Sequence, residues 1–236
     1  MKILGIESAS LTASAAIWED ELLTAEYTVN YKKTHSQTLL PMIDEIVKMT
    51  ETDLNTIDAI AVSGGPGSFT GLRIGSATAK GLGLALDKPL IHVPTLDAMA
   101  YQQYGTDRLI CPIMDARRGQ VYCGLYEFHS EFHVLKQQTA MALSELLEEI
   151  NELGRPVLFL GDGVPVGKNL IEETIKVPFV FAPSFSNRQR AGDVAALGAV
   201  YLREGKTEAA RDHAPEYLRM SQAEREMMEK KKREHE

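Results

Sequence analysis

The residues best placed for chemistry lie in Asp58-Ala-Ile-Ala-Val-Ser-Gly-Gly-Pro-Gly-Ser-Phe-Thr-Gly-Leu-Arg73. An apolar run ends in a glycine-rich loop that opens straight into a helical pattern. Glycines let a backbone approach a ligand, and the free N–H groups of a helix start attract negative charge, so this order suits a phosphate. Neither standard nucleotide fingerprint fits. A P-loop requires Lys and then Ser or Thr after its last Gly, whereas Leu72 and Arg73 follow Gly71. A dinucleotide loop begun at Gly65 requires Gly where Thr70 stands. Spacing alone leaves a phosphate cradle of another kind and a ligand-free glycine turn as equals.

Other reactive side chains are sparse. Cys111 and Cys123 each sit in an apolar strand-like run without a neighbouring His pair, a pattern of buried free thiols rather than metal ligands. The histidines, His35, His92, His129, His133, His213 and His235, contain no i, i+3 or i, i+4 pair on a helix. His129 and His133 are four apart, but in a strand-turn-strand segment where that spacing is not expected to converge. There is no Gly-x-Ser-x-Gly elbow. Asp115, at a strand end with Arg117 and Arg118 behind it and no carboxylate nearby in sequence, reads as a salt-bridged hairpin turn. The expectation is no catalytic residue and no metal ligand.

The composition bounds the rest. The 236 residues are 44% hydrophobic and 25% charged, ordinary for a globular protein, and no apolar run approaches the roughly 18 residues of a membrane span. The N-terminus reads directly into a strand with no signal-peptide pattern, and with the cysteine usage this implies a cytoplasmic protein. A net charge of −8 argues against gripping a nucleic acid unaided, and the basic run Lys230–Arg233 is embedded among glutamates.

These residues must be positioned by an alternating chain. Strands are expected at 2–7, 12–18 and 24–31, a helix at 36–49, a strand at 59–62, the glycine loop, a helix at 70–86, a strand at 90–93 and a helix from Pro94-Thr95. Three strands followed by helix-strand-helix-strand-helix is the ribonuclease H-like order, a mixed sheet flanked by helices on both faces. The second half repeats the theme, with strands at 109–115, 120–128, 132–139 and 157–160 and helices near 143–151, 166–174 and 190–202. The expected fold is α/β with two ribonuclease H-like domains, 1–105 and a smaller 106–220, divided at the polar gap Gly105-Thr106, with a charged tail at 221–236.

Two such halves resemble the actin/Hsp70/sugar-kinase superfamily, in which nucleotide phosphates sit in the interdomain cleft against the loop after the first strand. Here that loop is Glu7-Ser8-Ala9-Ser10-Leu11-Thr12. Glu7 stands where a carboxylate orders a metal-bound water, although a carboxylate at a strand end is equally an ordinary surface residue. A narrower resemblance is carried by Ile6-Glu7-Ser8, His35-Ser-Gln-Thr-Leu-Leu-Pro-Met-Ile-Asp44, the run from Asp58 to Gly75, Val93-Pro-Thr-Leu-Asp97, Asp115-Ala-Arg-Arg-Gly-Gln-Val-Tyr122 and Ala214-Pro-Glu-Tyr-Leu-Arg219. In order and across nearly the whole chain, these are similar to the TsaB (YeaZ) family, the non-catalytic partners of TsaD in making threonylcarbamoyladenosine in tRNA.

The resemblance implies a role. TsaD would hold the metal and transfer threonylcarbamoyl from its adenylate to N6 of adenosine 37 in tRNAs reading codons that start with A. This chain would bind and activate TsaD together with the ATPase TsaE. TsaD relatives carry His-x-x-x-His after the fifth strand, where this chain has Thr95 and Met99, poor ligands for such an ion. ATP and metal are therefore expected on the partner subunits, tRNA contact only through the complex, and self-pairing when TsaD is missing. The helix from Thr38 to Glu51 has an apolar arc of about 180°, wider than the roughly 100° a one-sided helix needs. The next carries a ladder of small residues, Gly71, Gly75, Ala79 and Gly83, which admits close approach of another element. Packing on the sheet and pairing with a partner are both open for these helices. The resemblance favours a partner interface at His35, Leu39, Met42, Ile43, Ile46, Leu72, Arg73 and Ser76, breakable by Ile43→Glu with Ile46→Glu in a chain still folded. It leaves Glu7, Ser8, Gly65, Gly67 and Ser68 as a vestigial phosphate loop. Two rival readings are a metallopeptidase and an ATP-dependent kinase of the same superfold.

Overall fold

The computed structural model describes residues 1–219, so the expected tail at 221–236 lies outside the described residues. Ile3-Leu4-Gly5-Ile6 has no polar residue to offer water, and the chain buries it on both faces as strand β1 (Lys2–Glu7) at the centre of a sheet. Strands β2 (Thr12–Glu19) and β3 (Leu22–Asn30) run antiparallel on one side. Strands β4 (Ala59–Gly65) and β5 (Leu90–Pro94) run parallel on the other, giving the order β3-β2-β1-β4-β5. Successive β1 residues alternate between faces. Leu4 and Ile6 pack in one core with helix α1 (His35–Met49), which shares that face with α2 (Phe69–Leu86). Ile3 packs on the opposite face, under the helix Ala191–Arg203.

The second sheet repeats this plan. Strand β6 (Leu109–Asp115) is central, β7 (Gln120–Phe128) is antiparallel to it and β8 (Phe132–Ala142) antiparallel to β7, and β9 (Val157–Leu160) and β10 (Phe179–Phe181) are parallel to it, in the order β10-β9-β6-β7-β8. The α/β fold with two mixed, helix-flanked sheets expected from element order is the fold observed. Helices α4 (Leu143–Leu153) and α5 (Gly163–Thr174) cover the outer face, where Cys111 and Cys123 are buried as unpaired thiols. Burial pushes both thiols up, Cys123 to about 12, so they pack as inert apolar groups. Strand β10 was not expected, because three residues are too few to display an alternation.

The packing departs from the expected division in one respect. Helix α6 (Ala191–Arg203), placed with residues 106–220 by sequence, lies on β1, β2 and β4 of the first sheet. A Cβ at Gly5 would stand 2.3 Å from the Ala191 carbonyl, so helix and strand backbones touch. The following segment stays with that sheet, since Leu90 and Glu208 exchange both backbone hydrogen bonds, at 3.0 and 2.9 Å. A polar gap marks where the chain leaves the first sheet, but α6 is apolar enough to suit either sheet, and nothing local marks its return.

Helix α3 (Thr95–Tyr101) joins the halves. Its Leu96, Met99 and Ala100 pack with Ile110, Met114 and Tyr126 of the second sheet. Buried Asp97 accepts hydrogen bonds from Tyr126 Oη on β7 at 2.8 Å and Tyr201 Oη on α6 at 3.2 Å, linking both units through one carboxylate. Asp97→Ala is expected to lower the urea midpoint by the equivalent of roughly 2–4 kcal/mol, because two buried hydroxyls lose their acceptor. Asp97→Asn, which keeps one acceptor oxygen, should lose less. Equal midpoints for wild type and Asp97→Ala would refute the link.

Candidate functional site

The glycine loop is filled by the chain itself. Gly65 adopts φ +120°, and a Cβ there would stand 2.2 Å from the Glu216 carbonyl. A Cβ at Gly67 would lie 2.3 Å from the Ala9 carbonyl, and one at Gly71 would lie 2.1 Å from the Ser8 carbonyl. The loop N–H groups are engaged as well. Gly65 N donates to Thr95 Oγ1 at 3.2 Å, Ser68 N to the Ala9 carbonyl at 2.6 Å, and Gly71 N to Ser68 Oγ, the N-cap of α2, at 3.3 Å. Ser8 Oγ donates to the Gly71 carbonyl at 2.9 Å and would meet any Cβ at Gly75. The β1–β2 turn therefore packs directly into the glycine loop.

Beside it lies a cleft of about 620 Å³ between the two sheets. One wall is Ser10, Gly67 and Ser68, another is Asp115, Arg117 and Asp162, and Glu216–Arg219 closes a third side. Its acids outnumber its bases. Both arginines are engaged, Arg117 Nε at 3.8 Å from Asp115 Oδ2 and Arg219 donating to the Ala116 carbonyl. A polyphosphate here would meet three carboxylates, Asp115, Asp162 and Glu216, against two guanidiniums. Asp115 N also donates to Asp162 Oδ1 at 3.2 Å, and burial first, then the Asp115 charge, raises the Asp162 carboxyl. Asp162 escaped the sequence search because it lies on another element. The turn Gly161-Asp162-Gly163 after an apolar strand was the signal that could have found it.

Glu7 is fully buried rather than a surface residue. Its Oε1 accepts from Ala9 N at 2.5 Å and its Oε2 has no partner. Thr95 and Met99, at the two places of the missing histidine pair, serve packing. Thr95 Oγ1 holds Gly65 N and pairs with Ser63 Oγ at 3.2 Å, and Met99 belongs to the core between the sheets. His129 and His133 do approach each other, with ring centroids 5.8 Å apart, because the β7–β8 turn curls them together.

The expected partner residues need correction. Leu39, Met42, Ile43 and Ile46 are 1–4% exposed and form the core against the first sheet, and Leu72 and Ser76 are likewise buried. His35 is buried, its Nε2 donating to the Ser10 carbonyl at 2.7 Å, which fixes the start of α1 to the β1–β2 turn. Only Arg73 is exposed, with its guanidinium over Phe69 and its Nε donating to Tyr217 Oη at 3.3 Å. The small-residue ladder also faces inward, toward Ser8 at Gly71 and Gly75 and toward Ala210 at Gly83. The apolar arc of α1 was wide enough to serve core and surface alike, and the sheet took the half containing these residues. Ile43→Glu with Ile46→Glu is thus expected to unfold the chain. The outward faces carry Leu40 (55% exposed) and Met49 (77%) on α1, and Ala77, Gly81, Leu84 (62%) and Ala85 on α2.

Burial dominates Glu7 and pushes its carboxyl up to about 7, against hydrogen bonds from Ala9, Ser63 and Ser8 that lower it. The folded chain holds this proton more tightly than the unfolded chain does. Stability should therefore fall as pH rises from about 4.5 to 7, by at most about 3 kcal/mol from this group, and level off above. Glu7→Gln is expected to flatten that part of the slope in denaturant titrations across this window, and a slope identical to wild type would contradict the assignment.

Comparison with known proteins agrees with this architecture. The family model for TsaD, tRNA N6-adenosine threonylcarbamoyltransferase, matches residues 23–227. The Bacillus subtilis tRNA threonylcarbamoyladenosine biosynthesis protein TsaB is 35% identical over 236 residues, covering 98% of this chain and 100% of its own. A Pseudomonas aeruginosa crystal structure described as an uncharacterized protein with similarity to peptidase YeaZ superposes with a TM-score of 0.80 at 24% identity, over 92% of this chain and 99% of that one. The inorganic polyphosphate/ATP-glucomannokinase of Arthrobacter sp. strain KM shares the fold at a TM-score of 0.50 and 11% identity, over 84% and 98% of the two chains. With its motifs in order and a TsaB relative matched from end to end, the chain belongs to the TsaB (YeaZ) family.

Proposed function

We propose that this chain is a non-catalytic subunit in tRNA threonylcarbamoyladenosine biosynthesis, binding and activating a TsaD-like catalytic subunit through the outer faces of α1 and α2. The coarse role, participation in that modification, rests on family membership. The observation that carries the finer role is the outer surface of these helices. Leu40, Met49 and Leu84 are exposed, and a Cβ at Gly81 would meet nothing within 4 Å, so no described residue covers α2 at that position. On α2 the exposed Ala77, Gly81, Leu84 and Ala85 share one side, and small residues beside a leucine suit close docking of another helical surface. The filled glycine loop and the acidic cleft support leaving nucleotide, metal and transfer chemistry to partners. In this reading a TsaE-like ATPase joins the pair, tRNA is contacted through the complex, and the same face self-pairs when the catalytic subunit is missing.

Depletion of the protein followed by nucleoside analysis of bulk tRNA should lower threonylcarbamoyladenosine, and an unchanged level would sink the proposal. Leu40→Glu with Leu84→Glu should weaken capture of the TsaD-like subunit by ~100-fold, the scale of losing two anchoring contacts, while leaving the thermal melt unchanged. Undiminished capture by that double variant would move the interface elsewhere.

A further inference from the structure

Three donors that no local spacing rule could connect meet where the segment after α6 crosses β5. His92 stands on β5, two residues beyond Leu90, the residue whose backbone pairs with Glu208. The chain then turns, with Asp212 N donating to the Ala209 carbonyl at 2.9 Å, and brings His213 back beside Glu208. Lys80 Nζ fixes this turn from α2, donating to the Arg211 and His213 carbonyls at 2.9 Å each. One ligand atom from each of His92, Glu208 and His213 lies within 4.8 Å of the other two. None of the three lines the cleft.

We propose that His92, Glu208 and His213 bind a divalent transition metal of the zinc class, which clips the segment after α6 to the first sheet. Two imidazoles and one carboxylate are a borderline donor set that suits zinc, cobalt or nickel and disfavours the all-oxygen preference of calcium and magnesium. Bonds of about 2.0 Å place tetrahedral donors about 3.3 Å apart, a distance these side chains reach by small rotations on backbones already pinned. His213 faces the group directly. Its side chain is fully buried and its Nδ1 lies 2.6 Å from Glu208 Oε1. A metal bound at Nδ1 would take the place of the proton these two atoms share, and Nε2 would then carry the ring's N–H. The His92 ring is seated closely too, since a Cβ at Gly64 would fall 2.2 Å from it. The consequence reaches the cleft. Glu216, three residues beyond His213, donates its backbone N–H to the Gly64 carbonyl at 2.7 Å, so the clip would hold the strand of chain that closes the cleft.

The test uses the full chain stripped with a chelator and titrated with Zn²⁺ by calorimetry and with Co²⁺ by visible absorption. One equivalent of each should bind, Co²⁺ with the intense d–d bands of a four-coordinate site, and Zn²⁺ should raise the melting temperature. His92→Ala should weaken binding by at least ~10- to 100-fold and abolish the melting shift with the far-UV spectrum intact. Glu208→Gln, which keeps the backbone pairing with Leu90, should do the same if His92→Ala disturbs packing on Gly64. Absence of stoichiometric binding, or undiminished binding in both variants, overturns the site.

Discussion

The constraint on which the rest depends is the close backbone approach along residues 64–75. Five positions there lack a Cβ, and three other parts of the chain use the space: strand β5 with the His92 ring at Gly64, the terminal segment with the Glu216 carbonyl at Gly65, and the β1–β2 turn with the Ala9 carbonyl at Gly67 and Ser8 at Gly71 and Gly75. The loop is the junction at which the β1–β2 turn, strand β5, helix α2 and the terminal segment are set relative to one another. A side chain at any of these positions would collide with backbone or ring atoms, or at Gly75 with the Ser8 hydroxyl. Interiors packed at this density transmit such displacements instead of absorbing them.

Much of this was legible in sequence because it rests on local rules. The continuous apolar run at 3–6 demands burial on both faces, and the strand-strand-strand-helix-strand order then fixes a mixed sheet with few alternatives. What was not legible depends on which of two equivalent surfaces the fold selects. Leu39 and Leu40 are chemically identical, yet one is 1% and the other 55% exposed. Only the position of the sheet separates them. The ladder from Gly71 to Gly83 poses the same problem, since small residues admit a neighbour without saying whose. Asp162, and the meeting of Glu208 and His213 with His92, went unnoticed for a different reason: Asp115 and His92 stand on strands far away in sequence, and motif spacing sees only neighbours on one element.

The buried acids show what the fold tolerates along this seam. Glu7, Asp97, Asp162 and Asp193 all have their carboxyls raised, with burial the first cause in each. Asp97 is compensated by two tyrosine hydroxyls. Glu7 and Asp193 each keep one oxygen without a partner, and each Glu7 charge raises Asp193 further. Acids placed so are a net cost to folding at neutral pH. Hydrogen bonds to the Glu7, Asp97 and Asp162 carboxyls return part of that cost.

The same junction explains why the proposed division of labour is difficult to reverse. A phosphate cradle works by aiming N–H groups at oxygen atoms. At Gly65, Gly67 and Gly71 the groups aimed at the loop are instead the carbonyls of Glu216, Ala9 and Ser8. Carbonyl oxygens repel a phosphate, and two of these three residues, Ala9 and Glu216, line the cleft. A phosphate brought inside the loop itself would have to displace the β1–β2 turn and the terminal segment, at the expense of the contacts that seat α2. Helix α2 is also one of the two helices whose outer faces are assigned to the partner, so a loop emptied for phosphate would loosen the docking surface. Filling the loop with backbone and presenting a rigid helical face are, in this chain, one structural choice.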